Sequence, residues 1–341
     1  MQKIFKLLFF NFLFFVFLII ISELIFTIYY KNKINCLYIL CDIKYKYHNN
    51  LYEPFGKVTY KRDEFGFRGR FKDIDKIDII VVGGSTTDER LLNLEDTWSE
   101  QLQKKINVSE KLNIDIVNAG IDGQSSFGHI WNFNNWFNKI ENLNFNYIIF
   151  YIGLNESFTG TKFDLNAKDL RFFEKIKIII KKNNGLIFRL YALYQKYFTD
   201  KNINYGINTS DKKFKVNYKF LNNKEIITKK NFLNNLEKLY KLSLTYNFTP
   251  IFISQRSSRW ELKDGKVYTM NEENFYLKEK NISEALMNFC NRKNLICVDL
   301  FNNLNLKRSD TYDLMHLNPK GASKVADIVY KKIKDKLIFN K

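Results

Sequence analysis

Five short apolar runs, each ending in a polar or glycine-rich turn and separated by helical patterns, constrain this chain more than anything else in it. They are Asp78 to Val82, Ile114 to Val117, Tyr147 to Ile152, Pro250 to Ser254 and Leu295 to Leu300. Continuous rather than alternating hydrophobicity is what strands covered on both faces require. Helical patterns lie between them at Thr97 to Ile106, Gly128 to Ile140, Lys230 to Tyr246 and Glu272 to Arg292. A last helix opens with Asn318 as N-cap and Pro319 in its first turn. The alternation predicts an α/β fold with a doubly wound, five-stranded parallel sheet. An insertion of about residues 156–229 separates the third run from the fourth, and within it Leu170 to Lys182 and Leu186 to Tyr197 read as helical.

The N-terminus obeys a different rule. Leu7 to Tyr30 is nearly continuous hydrocarbon, broken only by Asn11, Ser22, Glu23 and Thr27. About 20 apolar residues span a bilayer as a helix. The run continues past any small-residue cleavage site to Tyr30 and Lys31, which reads as an uncleaved, single-pass transmembrane anchor over residues 1–30. Residues 31–76 form a polar, aromatic-rich connection with extended chain around a turn at Gly66, and 77–341 carry the α/β domain. Lysines flank both ends of the anchor, so charge does not orient it; the domain is expected outside the cytoplasm. Glu23 inside the span is costly unless it lies near the interface or is paired. Cys36 and Cys41 are close enough in sequence to pair in an oxidising compartment, whereas Cys290 and Cys297 read as core positions.

Formal charge is +18, but the lysines are scattered among Asn and Ile without a dense basic block, so nucleic-acid binding is not the expectation. In open α/β sheets ligands bind beyond the carboxyl ends of the strands, and four polar clusters fall there. Ser85 follows the first strand on Gly83-Gly84-Ser85-Thr86-Thr87, Gly123 follows the second, Asn155 the third, and Asp313 and His316 follow the fifth. A serine becomes a nucleophile when an imidazole can take its proton and a carboxylate orients that imidazole. His316 and Asp313 suit those roles, and the amides of Ser85, Gly123 and Asn155 suit an oxyanion hole. Alone, Ser85 would as readily cap a helix. The Gly83-Gly84 turn lacks the third glycine of a dinucleotide fingerprint and a phosphate-loop lysine. Thr86, Gln255 and Arg256 lie on the same rim as candidate substrate contacts, with Arg259 close behind. His129 reads as structural. No metal or cofactor is called for.

These four blocks, in this order, resemble those of SGNH/GDSL hydrolases: nucleophilic Ser85, oxyanion Gly123 and Asn155, and Asp313-Leu-Met-His316. The segment Gly66 to Gly69 (GFRG) is similar to one that precedes the nucleophile in membrane-linked members, and Gly84 before the serine matches the GGS-type branch. Glu156 departs from the usual aspartate after the third-block asparagine. The resemblance implies a flavodoxin-like SGNH hydrolase fold and a serine esterase acting on an ester through an acyl-serine intermediate, with an O-acyl group of a cell-surface glycan or lipid as a candidate substrate. An O-acyltransferase using the same triad, and a non-catalytic glycan-binding or envelope-assembly protein of the same fold, stay open alongside it. Protein partners are not legible. A reporter fused after Lys341 is expected to be active only outside the cytoplasm; cytoplasmic activity would contradict that placement.

Overall fold

A computed structural model describes residues 2–30, 33–34, 36–156, 186–187, 190, 194, 214–215, 223–264, 266–269 and 275–339. They divide into two compact units. One carries the N-terminal helix, and the other carries Leu40–Gly160 and Asn204–Lys341. The helix Gln2–Tyr30 is 29 residues long, and the stretch Gln2–Tyr29 is long and apolar enough to cross a membrane. Its Phe and Leu side chains are exposed all round, as a helix surrounded by hydrocarbon requires. Within this unit Glu23 accepts a hydrogen bond from the backbone amide of Ile187 at 3.0 Å, so the acidic group in the apolar run has a partner.

The second unit is built on a five-stranded parallel sheet of β3 (Ile79–Gly83), β4 (Ile116–Asn118), β5 (Tyr147–Ile152), β7 (Thr249–Ser254) and β10 (Ile296–Val298). Its spatial order is β10-β7-β5-β3-β4, the doubly wound flavodoxin-like arrangement. All of β3 and β5 is buried, which is why these strands read as unbroken apolar runs. Helices Trp98–Ser109, Ser126–Asn135, Asn223–Tyr246, Phe275–Lys293 and Pro319–Ile333 accompany the sheet. Thr97 caps the first through its side chain, and Asn318 caps the last by accepting from Gly321 N.

Two antiparallel features flank the sheet. β1 (Ile43–Asn49) and β2 (Gly56–Arg62) form a hairpin, while β8 (Trp260–Lys263) pairs with β9 (Lys266–Thr269), which also pairs with β6 (Phe214–Lys215). The polar connection after the N-terminal helix is therefore structured, and Tyr60, Arg62, Phe67 and Arg68 within it are fully buried. Cys290 and Cys297 are not simply core positions as the sequence suggested: they form a disulfide between the helix Phe275–Lys293 and edge strand β10. Cys36 and Cys41 are also disulfide-bonded. The helix expected at Leu170 to Lys182 lies outside the described residues, as does most of Leu186 to Tyr197; residues 186–187, 190 and 194 are helical.

Candidate active site

The sheet order reverses between β3 and β5, where loops leaving adjacent strand ends turn to opposite faces and open a crevice. Ser85 stands at the β3 side of that crevice, at the start of the short helix Ser85–Asp88. Its placement depends on Gly84. A Cβ on Gly84 would collide with the Asn155 amide and come within 3.0 Å of the Gln124 carbonyl, so only glycine lets the three loops meet.

Ser85 Oγ lies 2.7 Å from His316 Nε2, across 231 residues of sequence. His316 Nδ1 lies 2.5 Å from Asp313 Oδ2. Asp313 Oδ1 accepts from the backbone amides of His316 at 2.7 Å and Met315 at 3.1 Å. Since a carboxylate only accepts, the Nδ1–H tautomer satisfies this chain and leaves the Nε2 lone pair for the serine hydroxyl. Burial alone would raise Asp313, but the His316 ring and the two amides outweigh it and hold the carboxyl below its ordinary value. The loop is closed by Tyr312 N donating to His316 O at 3.0 Å, with Leu314 at φ +70 making the turn. The His316 ring stacks on Tyr312, centroids 5.6 Å apart, and Tyr312 on Tyr52 at 6.0 Å. The hairpin loop thereby supports the imidazole from one face.

Across the crevice, Gly123 at φ +74 completes a turn closed by Gln124 N to Ile121 O. Asn155 Nδ2 donates to Gln124 O at 2.8 Å, tying the second and third loops together. Glu156 braces the same junction: its carboxyl accepts from Ser126 N at 2.7 Å and Ser126 Oγ at 2.8 Å. Burial pushes Glu156 up to about 7, against the lowering effect of those bonds. Below them, the Gln124 side chain exchanges hydrogen bonds with Asn132 and meets His129 Nδ1 at 3.2 Å. Burial pushes His129 down to about 3, so it is a neutral imidazole inside the fold.

Of the remaining candidates, Thr86 and Gln255 are buried and bonded to each other, Gln255 Nε2 donating to Thr86 Oγ1 at 2.7 Å while its oxygen accepts from Leu154 N. They join the Ser85 turn to the β5 loop beneath the rim. Arg256 is also buried, its guanidinium 3.8 Å from the Trp260 ring centroid.

A group that sequence reasoning did not identify holds the short helix Ser85–Asp88 from behind. Asp88, at its last position, accepts from Arg62 Nη2 at 2.8 Å, Tyr60 OH at 2.7 Å and Arg90 Nη2 at 3.0 Å. Arg68 Nη1 donates to the carbonyls of Asp88 and Glu89, both at 2.7 Å. Arg62 Nη1 reaches Gly66 O at 2.6 Å, and Nη2 also donates to Gly120 O. Burial would raise Asp88, but the Arg62 and Arg90 charges more than reverse it. The signal was the GFRG segment, whose arginine had no stated task.

Comparison with known proteins adds little to this geometry. No protein-family model and no curated protein matches the sequence. Similar solved structures include a lipase/acylhydrolase from Enterococcus faecalis, 11% identical over 78% of this chain and 100% of that one, TM-score 0.45. Another is a variant of an acetyl xylan esterase from Geobacillus stearothermophilus, 14% identical over 78% and 100%, TM-score 0.44. A third is a member of the lipolytic G-D-S-L family from Veillonella parvula, 15% identical over 76% and 100%, TM-score 0.44.

Two outcomes are expected. Arg62→Ala leaves Asp88 buried with Arg90 as its remaining charged partner and should cost about 3–5 kcal/mol, read from the urea midpoint of the detergent-solubilised protein. A loss below about 1 kcal/mol, the range of exposed pairs, would show that Arg90 alone balances Asp88. Glu156 has a folded value raised from its ordinary 4.5 to about 7, so the native state takes up its proton more readily than the unfolded chain. Its contribution to stability is fully present below about 4.5 and is lost as pH rises through about 7. Glu156→Gln should flatten that decline in thermal midpoint; parallel wild-type and variant profiles would rule Glu156 out as its source.

Proposed function

We propose that this chain is a membrane-anchored serine esterase of the SGNH/GDSL kind, with Ser85 as nucleophile, His316 as general base and Asp313 as the carboxylate that orients it. The observation that carries this reading is the continuous hydrogen-bonded chain Ser85 Oγ, His316 Nε2, His316 Nδ1, Asp313 Oδ2. It lies at the strand ends where the sheet order reverses.

In the proposed reaction Ser85 Oγ attacks the ester carbonyl as its proton passes to His316 Nε2. Asp313, held ionised, stabilises the imidazolium. The carbonyl oxygen becomes an oxyanion facing the backbone amides of Ser85 and Gly123 and the side-chain amide of Asn155. Collapse of the tetrahedral species breaks the ester C–O bond, and His316 returns the proton to the departing alkoxide. The acyl group is then on Ser85. Water, deprotonated by His316, attacks the acyl-serine and the acid leaves. No step in this sequence draws on a metal or cofactor. An O-acyl group on a cell-surface glycan or lipid fits the anchored setting. Residues 1–30 serve as anchor, and the Cys290–Cys297 disulfide supports an extracytoplasmic domain, because such bonds persist in oxidising compartments.

A fluorophosphonate should label the purified protein, with the adduct mapping to Ser85 and absent from Ser85→Ala. Turnover of a short-chain ester by His316→Ala should fall by about ten-thousandfold or more. Absence of labelling, or activity of His316→Ala within a few-fold of wild type, would sink the assignment.

A further inference from the structure

On the carboxyl side of β7 and β10 lies a cavity of about 700 Å³ that the proposed chemistry does not use. Arg256 forms part of its wall and is 8% exposed. Among the described residues its hydrogen bonding is limited to one long contact, Nη1 to the Phe301 carbonyl at 3.5 Å. Among the described residues no carboxylate forms an ion pair with it, and its buried Nε meets no acceptor. The nearest buried acid, Glu279, is committed elsewhere: its oxygens take Ser257 N, Ser257 Oγ and Trp260 Nε1. Trp260 fixes the guanidinium by lying under it at 3.8 Å. The result is a preorganised buried cation, which burial penalises and which Glu279 offsets through space without an ion pair; a carboxylate could satisfy it through paired N–H donors. Lys307 and Arg308 add positive charge to the cavity wall, against Glu261 as the one acidic residue among the described ones. Asn305 and Ser309 line the same wall.

The cavity is mechanically continuous with the triad. Ser258, in its wall, donates its amide to Leu314 O at 2.9 Å and shares a 2.6 Å hydrogen bond with Thr311 Oγ1. Leu314 lies between Asp313 and His316.

We propose that this cavity binds an acidic saccharide, its carboxylate pairing with Arg256 and its hydroxyls meeting the polar wall, and that the ester reaching Ser85 is carried on such a glycan. As a substrate subsite this rests on the esterase reading, but as a binding site it is testable without catalysis. The test is calorimetric titration of the full-length, detergent-solubilised Ser85→Ala protein with a galacturonate tetrasaccharide, its carboxyl-reduced counterpart, and inorganic phosphate. The galacturonate should bind about tenfold or more tightly than the reduced form, as expected for hydrogen bonds to a charged group. Arg256→Gln should remove that preference, Arg256→Lys should restore part of it, and Lys332→Gln, an exposed lysine near the end of the last helix, should leave it intact.

Equal affinity for the charged and reduced saccharides, or no binding of either, overturns the proposal and needs no variant at Arg256 to observe. Equal loss in Arg256→Gln and Lys332→Gln also overturns it, since diffuse positive charge then accounts for the binding. Phosphate binding as tight as galacturonate and equally dependent on Arg256 would replace a saccharide site by a simple oxyanion site. Because nothing here requires Ser85, failed fluorophosphonate labelling would remove the esterase reading without touching this result.

Discussion

Parallel pairing of β3 with β5 fixes where everything else in the candidate site can be. The register sets Gly83 opposite Tyr151, so the chain leaves both strands at the same height. Ser85 follows one exit by two residues and Asn155 follows the other by four. With strands about 4.8 Å apart, loops leaving at one height must collide unless one of them gives up its side chain. Gly84 does so, and the space it vacates is taken by the Asn155 amide. From that contact the rest follows outward: Asn155 reaches Gln124, Glu156 reaches Ser126, and the crevice closes on one side while His316 closes the other.

The site is held by buried polar groups to an extent that hydrophobic packing alone would not demand. Asp88, Arg62 and Arg68 are each 1% exposed. Such groups lose hydration that their mutual attraction restores only with good geometry and full hydrogen bonding. Here the bonding is dense around Asp88, which accepts from Tyr60 and Arg62 of β2 and from Arg90. Apolar side chains could fill the same volume, but they would not select one position of the short helix over another slightly rotated one. Directional bonds from Tyr60 and Arg62 of the hairpin to the Asp88 carboxylate, and from Arg68 beyond it to the carbonyls at the helix end, do. Glu89 sits at φ +45 beside this group with its carboxyl on Trp98 N, and burial raises it well above its ordinary value.

Much of this architecture was legible in the residues. All five core strands were anticipated, because burial on both faces leaves a run with no polar alternation. Their ends moved for local reasons. The fifth stops at Val298 rather than Leu300 because Asp299 caps a helical turn through Asn302 N. The helix expected over Gly128 to Ile140 begins at Ser126 and breaks at Trp136, whose indole turns away to bond Phe65 O at 2.7 Å. Ser85 and Asn155 stood out as candidates because each lies just beyond a strand, and Asp313 and His316 because they lie in the loop ahead of the last helix. Arg62 and Arg68 were not, since arginine in a polar stretch is ordinarily a surface residue. The Cys290–Cys297 bond was missed for a related reason: pairing depends on how two Cα atoms are presented in space. The hairpin of β8 and β9 was not anticipated, although Asp264-Gly265 stands between its strands and Asp264 takes φ +50.

The outermost strands of the sheet are both obstructed. On β4 the outward-pointing amides are already taken, Ile116 N by the side chain of Gln103 at 2.6 Å and Asn118 N by Arg68 O at 2.7 Å. On the opposite border β10 is three residues long and covalently fastened to its neighbouring helix. Short or occupied borders resist the strand-to-strand addition by which sheets of separate molecules fuse. Among the described residues the five-stranded sheet therefore offers no ready backbone template through which copies of this chain could polymerise.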